Sequence, residues 1–489
     1  MMEYSIERAN AYIAQHVAEV NPRYRSRLHA MPPIGWINDP NGLCYYRGQY
    51  HLFGQYHPYS SAWGPMHWGH WVSDDLVDWT WKGVVMAPDQ PYDCNGVFSG
   101  SAVVDGDLLT VMYTGVSFTE EGEERQQQCI AQSTDGIHFT KCPQNPVIPT
   151  SLLPEGADPR NFRDPKLFRT EDGYRAIMAA RNASGGQLLV YRSPDLISWE
   201  LAGIFAQGVG DMLECPDYHL VDGHEILISC VMQMPPDGLR YPSDNPVAYL
   251  KVKTNPDKTA VTIDSMGALD NGLDFYAPQA VHTPDGESVL VGWLNGWCSG
   301  FPTQKLAHQW CGCMAFPRLM HEKDGHILQT PYPALKNYRT NETHRQASLA
   351  AGEVFTMPHA PAAELQVTLR PHDSGTVKLS VFANGDEAFV FAYDPSTEVM
   401  TMERGACGHN TTCDRRAETF TQAQVPMKDG EVKLQVLLDV CTVEAFLQDG
   451  ETVMSAAAYP IAETYELRVA SENGCDVDAS VWELKRKDV

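Results

Sequence analysis

The chain has 489 residues, 43% of them hydrophobic, with 62 acidic against 36 basic side chains and a formal net charge of -26. One hydrophobic core does not grow to that size, so two or three domains are expected. The charge excludes nucleic acid as a partner, because a polyanion is held by basic surfaces, but leaves room for an anionic small molecule in a local basic pocket.

Residues 1–27 read as an N-terminal extension, in which Ile6, Ala9, Ile13 and Val17 fit one face of a short amphipathic helix. Early acidic residues and the lack of an uninterrupted apolar run make it a poor leader peptide. No later segment approaches the roughly 18 apolar residues of a membrane span, so no membrane partner is expected. The 13 cysteines are scattered and odd in number, which fits free thiols in a cytoplasmic protein. Cys311 and Cys313 are close but have no second pair nearby, so neither a metal nor any other cofactor is expected.

Next comes GWINDPNG, residues 35–42. Asn, Asp, Pro and Gly in this order make a turn wherever they occur, because Asn and Asp bond nearby amides, Pro fixes φ and Gly accepts a positive φ. Whether Asp39 does more depends on the rest of the chain. A weak repeat supplies the context. VSDDLVDW (72–79), QSTDGIHF (132–139) and RSPDLISW (192–199) align Ser73, Ser133 and Ser193, 60 residues apart each time. The Ser-x-Asp turn suits the close of an outer strand.

Five strand–turn–strand units accompany these turns, at 41–57, 100–115, 164–181, 215–231 and 277–294, with turn glycines at 48, 106, 173, 223 and 286. Small sheets recurring at this spacing predict an all-β, five-bladed β-propeller over residues 28–335. Beyond it, TVKLSVFA (376–383), EVKLQVLLD (431–439), CTVEAFLQDG (441–450) and ASVWELK (479–485) alternate as strands of a C-terminal β-sandwich over 336–489. The junction is expected around Tyr332–Thr340.

The repeat turns motifs into a geometric expectation. Asp39 precedes the first unit, Phe98 and Ser99 abut the second, Arg163 and Asp164 open the third, Glu214 the fourth and Tyr276 the fifth. In a propeller the matching ends of the inner strands converge, so these residues share one pocket. Several carboxylates in one pocket either bind a hard metal or run glycoside chemistry. No calcium-loop spacing is visible, and the aromatics Trp36, Trp63, Trp68, Phe98, Tyr276, Trp293 and Trp297 suit sugar, most as core and two or three as ligand contacts.

GWINDPNG, QYHP (55–58), WGPMHWGH (63–70), FSGS (98–101), FRDPK (162–166), ECPD (214–217) and LDFYAPQ (273–279) together resemble the β-fructofuranosidase family of invertases, sucrose-6-phosphate hydrolases, exo-inulinases and levanases. The resemblance spans about residues 28–320 and extends loosely into the sandwich at TVEAFLQDGE. It implies Asp39 as nucleophile, Glu214 as acid/base and Asp164 as transition-state stabiliser, with Arg163 keeping Asp164 charged. It further implies Asn38, Gln55, Trp63, Phe98 and Ser99 as sugar contacts, and Tyr276 could reach the pocket. Asp217 is as much a blade anchor as a ligand, Cys215 tunes its neighbour, and His67 and His70 divide evenly between sugar contact and core. Three departures stand out: Ile37 for Met, Trp71 after GH, which would narrow the surface near the pocket, and Val440 where a basic residue is frequent.

The implied activity is retaining cleavage of the fructosyl bond of sucrose or sucrose 6-phosphate. Exo-hydrolysis of short inulin- or levan-type fructooligosaccharides is the alternative, with fructosyl transfer and a silent sugar-binding propeller behind it. Oligomeric state stays open, a homodimer through the sandwich being a guess.

Overall fold

The structure is a computed structural model that describes residues 4–241, 245–414 and 418–486; the outermost residues of the two expected terminal domains, 1–3 and 487–489, lie outside the described residues. Residues 35–331 form five sheets, here I to V, each built around one inner strand: Gly35–Tyr46, Gly96–Asp105, Phe162–Thr170, Met212–Val221 and Tyr276–His282. Four sheets have four antiparallel strands, and sheet I gains a fifth because Trp310–Cys311 returns parallel to its inner strand. Each inner strand packs on the next, and the fifth returns to the first.

The turn glycines at 48, 106, 173, 223 and 286 fall at the joint between the first and second strands of the five sheets, each with positive φ. The Ser-x-Asp turns lie between the third and fourth strands: Asp75, Asp135 and Asp195 each accept two backbone N–H bonds from the residues two and three ahead.

All five inner strands carry a bulge near their start. The register slips between Ile37 and Pro40, Val97 and Gly100, Arg163 and Lys166, Glu214 and Asp217, and Tyr276 and Gln279. In sheets III to V its first residue is left-handed, at Asp164 (φ 60°), Cys215 (φ 46°) and Ala277 (φ 48°). A non-glycine residue there is strained by roughly 1–2 kcal/mol. Proline follows each of the three, where its missing N–H leaves no gap in the ladder. A bulge re-aims the side chains beside it, and here it does so at the same height in five neighbouring strands.

Below the bulges a polar belt ties the sheets together. Gly100 N–H donates to Asn41 Oδ1 at 3.0 Å, and Ser101 Oγ donates to the Pro165 carbonyl and accepts from Leu167 N–H, both at 2.7 Å. Lys166 Nζ meets Asp217 Oδ1 at 2.7 Å, and Ala280 N–H donates to Asp217 Oδ2 at 2.8 Å. Gln279 closes the circuit, donating to the Gly100 carbonyl and accepting from Leu43 N–H. Buried polar groups are tolerated when paired like this.

The helix Ile6–His16 is capped by Ser5, whose hydroxyl accepts from Arg8 N–H, and buries Ala9 and Ile13. Asn10 bonds both the N–H and the carbonyl of Val84, occupying the outer edge of sheet I that would otherwise be open to pairing.

After a 3₁₀ turn at Pro333–Tyr338, two six-stranded antiparallel sheets follow from Arg339 onward. The four alternating segments read as strands fall on Val377–Asn384, Val432–Asp439, Thr442–Leu447 and Cys475–Leu484. Leu365, Leu379, Phe391, Val436, Met454 and Val469 form the core between the sheets. The organisation is that of a propeller followed by a sandwich.

A buried charged cluster crosses the seam between the two parts. His29 Nδ1 and Nε2 pair with Asp439 (2.8 Å) and Glu444 (2.9 Å), and Arg318 bridges Glu444 (2.8 Å) and Asp270 (2.9 Å). Burial opposes charge on His29, but the bonds to Asp439 and Glu444 outweigh it and push the imidazole up to about 9. A second bridge runs from Arg404 of the sandwich to Asp274 and Ser299, which flank Tyr276 and Trp297 in the chain.

Candidate active site

The bulged ends of the inner strands face a cavity of about 330 Å³ lined by Asn38, Asp39, Gln55, Trp63, Phe98, Gln126, Arg163, Asp164, Glu214, Cys215, Tyr276 and Trp297. Asp39 and Glu214, 175 positions apart, thus share one wall, as the repeat predicted. Ser99 stands behind that wall and touches Asp39.

Asp39 is buried, and its two oxygens differ. Oδ2 accepts from Ser99 Oγ at 2.6 Å and Gln55 Nε2 at 3.2 Å, with Cys215 Sγ at 3.6 Å. Oδ1 has no hydrogen bond of good geometry among the described residues. Trp36 Nε1 donates to Asn38 Oδ1 at 2.8 Å and so fixes the amide beside it. Desolvation raises the Asp39 carboxyl above the ordinary range. Hydrogen bonds from Ser99 and Asn38 oppose that shift, and the Glu214 charge adds to it.

Asp164 is held by its neighbours on both sides: its own N–H donates to Thr114 Oγ1 at 3.0 Å, and Cys215 N–H donates to its Oδ2 at 3.0 Å. Burial pushes this carboxyl up, the Arg163 charge pulls it back, and Glu214 and Asp39 push it up again. Burial and the surrounding carboxylates also push the Cys215 thiol up, so it stays protonated and donates toward both Asp39 and Asp164.

Glu214 is gripped at both oxygens. Arg163 Nη2 and Nε reach Oε1 at 2.5 and 3.2 Å, and Tyr276 Oη donates to Oε2 at 2.5 Å. Arg163 also faces Asp164, whose Oδ2 lies 3.8 Å from Nε and whose carboxyl its charge pulls down as expected, but its hydrogen bonds go to Glu214. The carboxylate on the neighbouring sheet meets the guanidinium head-on, whereas the adjacent residue, turned into the left-handed region, does not.

Other expectations sort cleanly. Trp63, Phe98, Tyr276 and Trp297 line the cavity, while Trp36, Trp68 and Trp293 are core. Asp217 belongs to the belt. His67 and His70 are buried with burial pushing both imidazoles down; one faces the Pro65 carbonyl and the other bonds His51 and stacks on Phe53. Trp71 does not narrow the pocket: it is buried against Trp81, with its indole N–H on the Met31 carbonyl. Gln126 was missed. It accepts from Phe162 N–H at 3.0 Å and touches Arg163, but its only trace in the sequence is a run of three glutamines.

A carboxylate with one free oxygen, a second carboxyl held between a cation and a phenol, and a third beside them are the parts of two-carboxylate glycoside chemistry. Comparisons with known proteins point the same way. Residues 29–331 match the glycosyl hydrolases family 32 N-terminal domain and residues 333–483 the family 32 C-terminal domain. Among its relatives are a sucrose-6-phosphate hydrolase of Escherichia coli (33% identical, covering 97% of this chain and 98% of that one) and a raffinose invertase of the same species (34%, 94% of each). Among solved structures it resembles a GH32 β-fructofuranosidase of Bombyx mori (30% identical, TM-score 0.85, 98% of each chain). It also resembles a sucrose-6-phosphate hydrolase of Lactobacillus gasseri (27%, TM-score 0.87, 98% of this chain and 99% of that one). The chain belongs to glycosyl hydrolases family 32 and is a glycoside hydrolase.

Proposed function

We propose that the protein is a β-fructofuranosidase that cleaves the fructosyl bond of sucrose or sucrose 6-phosphate through a covalent fructosyl-enzyme intermediate. Residues 28–335 are its catalytic domain, a five-bladed propeller closed by the polar belt, and 336–489 its sandwich. The observation that carries the reading is the asymmetric environment of Asp39 in the cavity it shares with Glu214. Oδ2 is tethered by Ser99 and Gln55, so Oδ1 attacks C2 of the fructosyl unit.

Glu214 gives a proton to the departing oxygen and then takes one from water, with Arg163 and Tyr276 aiming the carboxyl. Asp164 holds fructosyl hydroxyls, in contacts that tighten as positive charge develops at the anomeric centre. Asn38, Gln55, Trp63, Phe98 and Ser99 shape the fructosyl end. No described helix is long and apolar enough to cross a membrane, and the cysteines form no disulfide among the described residues; a reducing cytoplasm suits such a chain. Homodimerisation through the sandwich is open to sedimentation.

The test is product analysis on sucrose with the wild type, Asp39→Ala and Glu214→Gln, each checked for folding. Equimolar fructose and glucose from the wild type, lost in both variants, is the expected result; unchanged cleavage by Asp39→Ala overturns the mechanism.

A further inference from the structure

The relatives leave open whether the leaving group carries a phosphate, and the charge around the cavity bears on that choice. The charged lining residues are three carboxylates, Asp39, Asp164 and Glu214, and one cation, Arg163. Arg163 is already committed: beyond its two bonds to Glu214, Nη1 lies 3.2 Å from Asn161 Oδ1 and 3.4 Å from Gln126 Oε1.

Outward from Arg163 the surroundings stay acidic. Gln126 donates to Glu124 Oε1 at 3.1 Å, and Asn161 donates to Asp158 Oδ2 at 2.9 Å. The two segments are joined by Gln126 N–H on the Pro159 carbonyl. Arg160 is bidentate to Asp158, at 3.1 and 3.2 Å, and also feels the charges of Glu123 and Glu124. Arg125 turns to the opposite face of its strand and donates to Ser117 Oγ, and Arg181 pairs with Asp211 at 2.8 Å. The turn between the second and third strands of sheet II and the residue after it concentrate Glu120, Glu121, Glu123 and Glu124 in five residues. The cavity also has an aromatic lining, with Trp63 48% exposed and edge-on to Phe98 at 5.9 Å, and Trp297 packed on Trp36 and Trp293. Lys305, at the end of a short helix whose Gln304 bonds the Ser61 carbonyl, is not among the residues that line the cavity.

We infer that this enzyme selects a neutral leaving sugar over a phosphorylated one, the acidic edge of Glu123, Glu124 and Asp158 repelling a phosphate while Trp297 offers a face to an uncharged ring. The inference rests on the fructofuranosidase reading above. A phosphate ester carries nearly two negative charges at neutral pH, and carboxylates within a Debye length of about 8 Å act on it at physiological salt.

The experiment measures kcat/KM on sucrose and sucrose 6-phosphate, products separated, at low and high salt, for the wild type and the double variant Glu123→Lys/Glu124→Lys. Sucrose is expected to be preferred on the order of tenfold or more, a modest electrostatic difference. The ratio should shrink with salt, and shrink again in the variant through a gain on the phosphate ester. Equal or better cleavage of sucrose 6-phosphate by the wild type overturns the inference, as does a sucrose preference that neither salt nor charge reversal moves. Fructose release from neither substrate overturns the fructofuranosidase reading itself.

Discussion

Two clusters of buried carboxylates lie in this chain, and their environments are opposite. At the seam, Asp439 accepts from the N–H groups of Arg27, Leu28 and His29 as well as the His29 ring, and Glu444 takes His29, Phe316 N–H and Arg318. Although burial works against them, both carboxyls lie below their ordinary range, Asp439 through His29 and the Arg27 and Leu28 N–H groups, Glu444 through Arg318 and His29. In the cavity Asp39 and Asp164 are raised, three carboxylates lie around one guanidinium, and a buried Asp39 oxygen has no hydrogen-bond partner among the described residues. The seam carboxylates are each met by a cation and by backbone N–H or further side-chain donors and support the fold, although Arg318 Nε stays unpartnered among the described residues. The cavity carboxylates are less fully met, as suits groups that a substrate has to complete.

The largest effect that separates the two clusters is catalytic. Asp39→Asn keeps the shape of the side chain and removes its charge, and kcat on sucrose should fall by on the order of 10⁴ or more, as for loss of a covalent nucleophile. Glu444→Gln, buried as deeply, should leave kcat per folded molecule within about threefold. A comparable loss of kcat in both would erase the distinction.

Stability should show the reverse order. Glu444→Gln leaves His29 and Arg318 buried with too little negative charge, a defect that typically costs about 3–5 kcal/mol. The measurement is the denaturant midpoint at neutral pH. No loss there would mean that the seam is held by its apolar contacts alone.

Much of the cavity was legible because a propeller brings matching repeat positions together: Asp39, Phe98, Ser99, Asp164, Glu214 and Tyr276 stand at the starts of inner strands whose turn glycines mark the repeat. Partner choice was not legible. Arg163 adjoins Asp164 in the chain yet bonds Glu214, because a left-handed bulge decides the direction. Nor was the seam, whose members at 29, 270, 318, 439 and 444 have no local spacing and meet only when sheet V and the sandwich are packed. Trp71 misled for a related reason: it follows a motif whose first residue, Trp63, lines the pocket, but it sits on the strand His67–Ser73, which is buried along its whole length.

Titration offers a third contrast. The folded pKa of His29, about 9, exceeds the unfolded value near 6.5. Its stabilisation is therefore complete below about 6.5 and lost as pH rises through about 9. The denaturant midpoint should fall from pH 7 to 10, and His29→Gln should flatten that fall while lowering the midpoint at pH 7. An equally steep alkaline fall in the variant would assign the effect to other groups.

The smallest expected effect has the opposite sign and belongs to the cavity. Asp164 has a folded pKa above its unfolded value, so the folded chain binds its proton more tightly than the unfolded one. That contribution is present below the unfolded pKa near 3.9 and lost as pH rises through the raised folded value, which leaves the neutral-pH enzyme paying for a buried charge. Asn is the neutral analogue. Asp164→Asn should abolish most activity and yet raise the denaturant midpoint at pH 7, with the gain shrinking as the pH is lowered toward 4, where the wild-type carboxyl is itself protonated. A midpoint that falls at pH 7 would mean that the Arg163 charge and the Cys215 N–H already hold the Asp164 carboxylate as firmly as His29 and Arg318 hold Glu444, and the two clusters would then differ in geometry but not in electrostatic cost.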